Sequence, residues 1–125
     1  MAYPNDRKYT PEHEWILVEG DEASVGITEY AQEQLGAVVY VDLPEAGDTF
    51  DVGDTFGEVE SVKSVSELYM PVAGEVQSVN THLSAAPDII NDDPYEDGWL
   101  IRISMSDLSE LDSLLDAAAY EASLS

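Results

Sequence analysis

The chain contains no cysteine. That excludes disulfides, a cysteine nucleophile, and zinc or iron–sulfur held by thiolates. Any sulfur chemistry must be brought by an attached group or a partner. Histidine is nearly as scarce, with two in 125 residues, so no metal site is expected. The phosphate-cradling patterns GxxxxGK[ST] and GxGxxG are absent. No serine sits in a GxSxG elbow, and His13-Glu14 lacks the second histidine of a zinc-protease helix. Asp48, Asp51 and Asp54 do not have calcium-loop spacing, and Asp92-Asp93 reads as turn chemistry. No apolar run approaches the roughly 20 residues that span a bilayer, and MAYPNDRKY lacks the apolar stretch of a secretory signal. A cytoplasmic monomer with no membrane contact is the expectation.

Positive charge is the other shortage. Four Lys and Arg stand against 27 Asp and Glu, a net charge of −23. Such a surface repels nucleic acid and anionic membrane. It suits either a basic partner or cation, or a solvated, halophilic-like surface for a salty cytoplasm. The acids are dispersed from Asp6 to Glu121, which favours the second reading. The 44% of hydrophobic residues is too high for a disordered acidic tail, and 125 residues suffice for one domain with a core.

Short strand signals dominate what is present. Ala23, Val25 and Ile27 alternate with Ser24, Gly26 and Thr28 after the turn Glu19-Gly20-Asp21, which predicts a hairpin with the run Trp15 to Val18. Thr28 is placed to cap a helix over Glu29 to Leu35, with Gly36 as its stop. Val38 to Leu43 reads as a buried strand ended by Pro44. Gly47-Asp48 and Gly53-Asp54 mark turns among strands at Thr49 to Val52, Thr55 to Val62, Val65 to Met70 and Gly74 to Val79. Ala85 to Gly98 reads as a long loop. Trp99 to Ile103 reads as a strand with Trp99, Ile101 and Ile103 on one face. Leu108, Leu111, Leu115 and Ala118 follow helical spacing, capped by Ser106 or Asp107, and Asp116 suits a second short helix. The pattern is all-β dominated, a barrel or sandwich with small helices at its edges and no internal linker.

Lysine usage narrows the chemistry. Only Lys8 and Lys63 occur, and Lys8 needs no explanation beside Arg7. Lys63 lies in GEVESVKSVSELYMPV, between two strand candidates, at the apex of a tight hairpin kept small by Ser61, Ser64 and Ser66. Three readings stay open from composition: an ordinary solvated lysine or one paired with Glu60 or Glu67, a Schiff-base lysine, or a modified amine. A Schiff base requires a depressed pKa, which neighbouring carboxylates oppose. An exposed tip on rigid strands suits enzymatic acylation.

ESVKS at Glu60 to Ser64, followed by SELYMPVAGEV, resembles the lipoyl-attachment hairpin of the glycine cleavage system H-protein family. HEW at His13 to Trp15, VGIT at Val25 to Thr28, YAQEQLG at Tyr30 to Gly36, and VVYVDLPEAG at Val38 to Gly47 are similar to it as well. So are INDDPYEDGWL at Ile90 to Leu100 and the segment Ser109 to Asp112. The resemblance covers nearly the whole chain.

The resemblance implies a barrel-sandwich hybrid of the lipoyl/biotinyl type, with peripheral helices and a C-terminal helix, as one domain over 1–125. It implies lipoate joined by an amide to Lys63 within the attachment motif Glu60, Ser61, Val62 and Ser64. The implied role is a non-catalytic carrier that passes the aminomethyl group of glycine between enzymes. Its partners would be a pyridoxal-phosphate glycine decarboxylase, a tetrahydrofolate-dependent aminomethyltransferase, dihydrolipoamide dehydrogenase and a lipoate-attaching enzyme. In the family, the glutamate of HEW and an acid just after the hairpin are associated with holding the loaded arm, which places Glu14 and Glu67 in an arm cleft. Glu67 stands where Asp is commoner, and Glu12 stands where a smaller polar residue is expected. The alternative is a lipoyl domain of a 2-oxo acid dehydrogenase complex, disfavoured by Val62 before the lysine and by the helical ends. A biotin carrier is disfavoured because Met does not flank Lys63.

Overall fold

The structure, a computed structural model, describes residues 3–124. Among the described residues, nine antiparallel strands form two sheets. Strands β1 (Lys8–Tyr9), β2 (Glu14–Glu19), β3 (Glu22–Ile27), β5 (Thr49–Phe50), β8 (Gly74–Val79) and β9 (Ile101–Met105) make a six-stranded sheet in the order β1-β2-β3-β9-β8-β5. Strands β4 (Val38–Asp42), β6 (Thr55–Ser61) and β7 (Val65–Tyr69) make the second, in the order β4-β6-β7. The two sheets form a sandwich, not a closed barrel.

Period-two alternation builds this arrangement. Ile16, Ala23, Val25, Ile101, Ile103 and Val76 point inward from the large sheet and meet Val38, Phe56, Val59 and Leu68 from the small one. Trp15, adjacent to Ile16, faces the other way. It packs with Tyr9 and Tyr120 in a second, aromatic cluster. Trp15 pairs with Gly26 across the β2–β3 ladder. A Cβ on Gly26 would lie 2.5 Å from the Trp15 ring, so only glycine lets the indole cross the neighbouring strand.

Helix α1 (Glu29–Leu35) starts where expected, with Thr28 Oγ1 accepting from Ala31 N, and it ends at Gly36. The strand expected to be buried over Val38 to Leu43 is an edge strand instead: Val38 is buried, but Val39 and Tyr40 face solvent. Three further expectations need correction. First, the segment expected as one long loop from Ala85 to Gly98 contains α3 (Ile89–Asp92), and α2 (His82–Ala85) precedes it. Ile90 is fully buried there, and Asn91 ties α3 to α1 through Gln32 Oε1 and Gly36 O.

Second, Trp99 does not share a face with Ile101 and Ile103. The strand begins at Ile101, and Trp99 packs against the aromatic cluster. Third, the tail is not one amphipathic helix through Ala118. A 3-10 turn (Leu108–Ser113) gives way to extended backbone, and α4 (Ala117–Ser123) follows with Asp116 as its cap. Leu115 is instead held by mutual backbone hydrogen bonds with Tyr9, at 2.8 and 2.9 Å. This brings α4 back over β1 and sets Tyr120 beside Tyr9, their rings stacked with centroids 4.8 Å apart.

Candidate functional site

The β6–β7 hairpin carries Lys63 at its tip. Pairing runs up to Glu60 opposite Val65, and Ser61 N donates to Ser64 O at 2.8 Å to close the loop. The buried Ser61 side chain is a clasp beneath the lysine. Its Oγ accepts from Lys63 N at 3.3 Å and Ser64 N at 3.1 Å, and donates to Ser64 O at 3.2 Å. Val62 N donates to Ala37 O at 3.0 Å, tying the tip to the small sheet's other edge. The backbone of the tip is therefore fixed while its side chains stand out, Val62 being 70% exposed.

Lys63 is exposed, and among the described residues its Nζ makes no hydrogen bond or ion pair. The pairing with Glu60 or Glu67 that composition left open does not occur. Glu60 faces solvent between Tyr40 of β4 and Val65 of β7. Glu67 Oε2 accepts instead from Thr55 Oγ1 at 2.8 Å. Beside the lysine stem lies Gly36, at φ +78° and ψ −158°, a conformation almost restricted to glycine. A Cβ there would stand 3.4 Å from Lys63 Cε.

One residue beyond Lys63 a cleft of about 380 Å³ opens. Its walls are Ser64 and the edge strand β7 from Val65 to Leu68, helix α1, through Tyr30, Ala31, Gln34 and Leu35, and the turn Glu12 to Glu14. Ile27 adds to an apolar floor. The sequence-derived cleft residues Glu14 and Glu67 both line it, and so does Glu12. Glu14 thus shares one end of the sandwich with Lys63 and Glu67 although it comes from a distant segment of the chain.

Glu14 is the chemically unusual member. It is 2% exposed. Thr10 Oγ1 donates to its Oε1 at 2.6 Å, and Tyr69 N donates to its Oε2 at 3.3 Å. Burial opposes ionisation more than these donors favour it, so its carboxyl is pushed up to about 7. The carboxylate is costly to form but becomes a strong attractor for a cation that enters the cleft.

Sequence reasoning missed His13. It lines the cleft beside Glu14 and adopts φ +73°, a left-handed conformation that costs a residue with a Cβ about 1–2 kcal/mol. Three hydrogen bonds hold it there: His13 N to Thr10 O, Thr28 N to His13 O, and Nδ1 with the Tyr120 hydroxyl at 2.8 Å. Burial pushes the imidazole below its ordinary pKa. Its place next to Glu14 in HEW was the only available signal. Nothing in the sequence pointed to Tyr120, 107 positions away.

The chain is similar to known proteins over nearly its whole length. The family model for the glycine cleavage H-protein matches residues 7–125. The glycine cleavage system H protein of Bacteroides thetaiotaomicron is 53% identical over 122 residues, covering 98% of this chain and 97% of that protein. Its counterpart in Bacteroides fragilis is 52% identical with the same coverage. Among solved structures, a glycine cleavage system H protein from Mycobacterium marinum superposes with a TM-score of 0.89 at 42% identity, covering 96% of this chain and 97% of that one.

Proposed function

The chain belongs to the glycine cleavage H-protein family, and from that premise we propose that it carries lipoate as an amide on Lys63 and moves the aminomethyl group of glycine between the enzymes of that system. Residues 1–125 act as a single carrier domain without catalytic residues of their own. The observation that supports this reading most is the pairing of an unpartnered, exposed lysine on a clasped hairpin tip with a carboxylate-lined cleft one residue away.

The residues present fit the group. A lipoate-attaching enzyme needs an accessible amine on a defined backbone, and the Ser61 clasp with the Val62–Ala37 hydrogen bond supplies that. Bound lipoate supplies disulfide–dithiol chemistry on a long flexible arm.

This chain's contribution is to hold and to shield. The apolar floor of Ile27 and Leu35 suits the arm's hydrocarbon. Glu14, ionised above about pH 7, supplies a buried countercharge for a cationic aminomethyl cargo, and Glu67 and Glu12 add negative potential at the rim. An arm seated there leaves little room for the water that would release the cargo. The decarboxylase, the aminomethyltransferase and dihydrolipoamide dehydrogenase are the partners that load, unload and reoxidise it.

Glycine–carbon dioxide exchange with a pyridoxal-phosphate glycine decarboxylase tests the proposal. Exchange that depends on the lipoylated chain supports it. Lipoylation without exchange would favour a lipoyl domain of another complex.

A further inference from the structure

Behind the cleft wall runs a hydrogen-bond chain that the carrier role does not by itself explain. Ala31 N donates to Thr28 Oγ1 at 3.2 Å, Thr28 Oγ1 lies 2.8 Å from the Tyr120 hydroxyl, and that hydroxyl lies 2.8 Å from His13 Nδ1. Thr28 and Tyr120 have no exposed surface. The direction of each bond follows from counting protons. Thr28 has one hydroxyl proton, and the Tyr120 oxygen is its available acceptor. Tyr120 must then donate to His13 Nδ1. The opposite assignment would leave the Thr28 proton buried without a partner, which costs about 1–3 kcal/mol. His13 is therefore the neutral tautomer with its proton on Nε2, and that nitrogen has no hydrogen-bond partner among the described residues.

We propose that Tyr120 is a positioning residue for the arm cleft: through its hydroxyl, the C-terminal helix keeps His13 neutral and fixed beside Glu14, so that the wall does not repel a cationic cargo. The proposal rests on the reading of this cleft as the arm's seat. The chain joins both walls, since Thr28 caps α1 and His13 forms the turn that carries Glu14. An imidazolium at this place would stand against the cargo's charge and compete for the Glu14 carboxylate. Around His13 the relevant groups are Glu12 and Glu14 on its own turn, Tyr30 of α1 with its ring centroid 4.7 Å away, and Tyr120 of α4, against which Tyr3 packs. The carboxylate of Glu12 favours the imidazolium. Burial and the Tyr120 donor oppose it.

Tyr120→Phe removes the hydroxyl and keeps the ring that stacks on Tyr9. In the unlipoylated protein, 15N and 1H NMR titration of the two histidines reads the effect, with exposed His82 as internal control. The wild type should show a nonprotonated Nδ1 on His13. Tyr120→Phe should raise the proton affinity of His13 about three- to tenfold, the worth of one hydrogen bond to the neutral form. In the lipoylated, loaded carrier, Tyr120→Phe should speed loss of cargo to water, most at the pH where His13 becomes charged. Tyr120→Phe combined with His13→Asn, which tolerates the left-handed backbone and cannot titrate, should lose the excess pH dependence over wild type and keep only the part that follows Glu14.

A protonated Nδ1 in the wild type, or an unchanged His13 titration in Tyr120→Phe, overturns the proposal. So does a changed titration with unchanged cargo loss, provided Glu14→Gln does speed that loss. If Glu14→Gln leaves cargo loss unchanged as well, the cleft is not the seat of the arm and the positioning role falls with it. The His13 titration then shows separately that the hydrogen-bond chain exists.

Discussion

The backbone N–H of Tyr69 donates to Glu14 Oε2 across 3.3 Å. Tyr69 ends the strand that descends from the Lys63 tip, and Glu14 begins β2 of the six-stranded sheet. This contact ties the β6–β7 hairpin to the buried carboxylate of the cleft, so Lys63 and Glu14 keep a fixed relation.

Glu14 should make the protein's stability depend on pH. Its folded-state pKa is raised from 4.5 to about 7, so the folded chain holds this proton more tightly than the unfolded chain does. The sign follows: stability falls as pH rises through that window, and the full cost, on the order of 3 kcal/mol, is present above about pH 7. Glu14→Gln keeps the shape and removes the ionisation. Relative to wild type it should gain stability at pH 8 and not at pH 4, as urea unfolding at the two pH values would measure. An equal difference at both values would contradict the assignment.

Glu14 should also set how long cargo survives. Glu14→Ala or Glu14→Gln should speed release of the aminomethyl group to water at pH 8, by about tenfold if one buried charge-assisted contact of roughly 1.5 kcal/mol is lost. The difference from wild type should shrink below pH 7 as the wild-type carboxyl itself becomes neutral. Timed ammonia release from the loaded carrier checks this.

Gly36 should be intolerant of a side chain. Its φ of +78° with ψ −158° excludes an alanine without strain, and the added Cβ would come into van der Waals contact with the Lys63 stem. Gly36→Ala should cost about 1–3 kcal/mol and slow enzymatic lipoylation. Thermal unfolding and the rate of attachment are the two readouts.

The acidic surface should make the fold depend on salt. On the outer face of the small sheet, Asp42, Glu58 and Glu67 stand directly opposite one another on β4, β6 and β7. Like charges at that spacing repel, and the ion pairs among the described residues engage only Arg7 and Arg102. Screening shortens from about 10 Å at 0.1 M to about 3 Å at 1 M salt. Tm should rise steeply with KCl, and Glu58→Gln should raise it by a few degrees in dilute buffer and by much less in molar KCl. A flat Tm across that range would contradict the account.

How much of this was legible follows from how local each feature is. The strands were legible because inward residues such as Ala23, Val25 and Ile27 repeat every second position. Helix α1 was legible because Thr28 and Gly36 bracket it. The four-residue helices α2 and α3 were not, because a single turn is not stable alone. Burial of Ile90 and the side-chain bonds of Asn91 hold α3 in place, and neither is visible in a Pro- and Asp-rich string. The tail misled because Leu115 keeps helical spacing while pairing with Tyr9 as a strand does.

At the site, Lys63 stood out because lysine is rare here. The importance of Glu14 could not be separated from 26 other acids by composition. Its burial depends on Thr10, on Tyr69 and on the fold that brings them together.

Intact mass after incubation with a lipoate ligase tests the central claim most directly. The account predicts addition of one lipoyl group to the wild type and none to Lys63→Arg, with Lys8→Arg still modified. Failure of the wild type to accept the group, or modification that persists in Lys63→Arg, would contradict it.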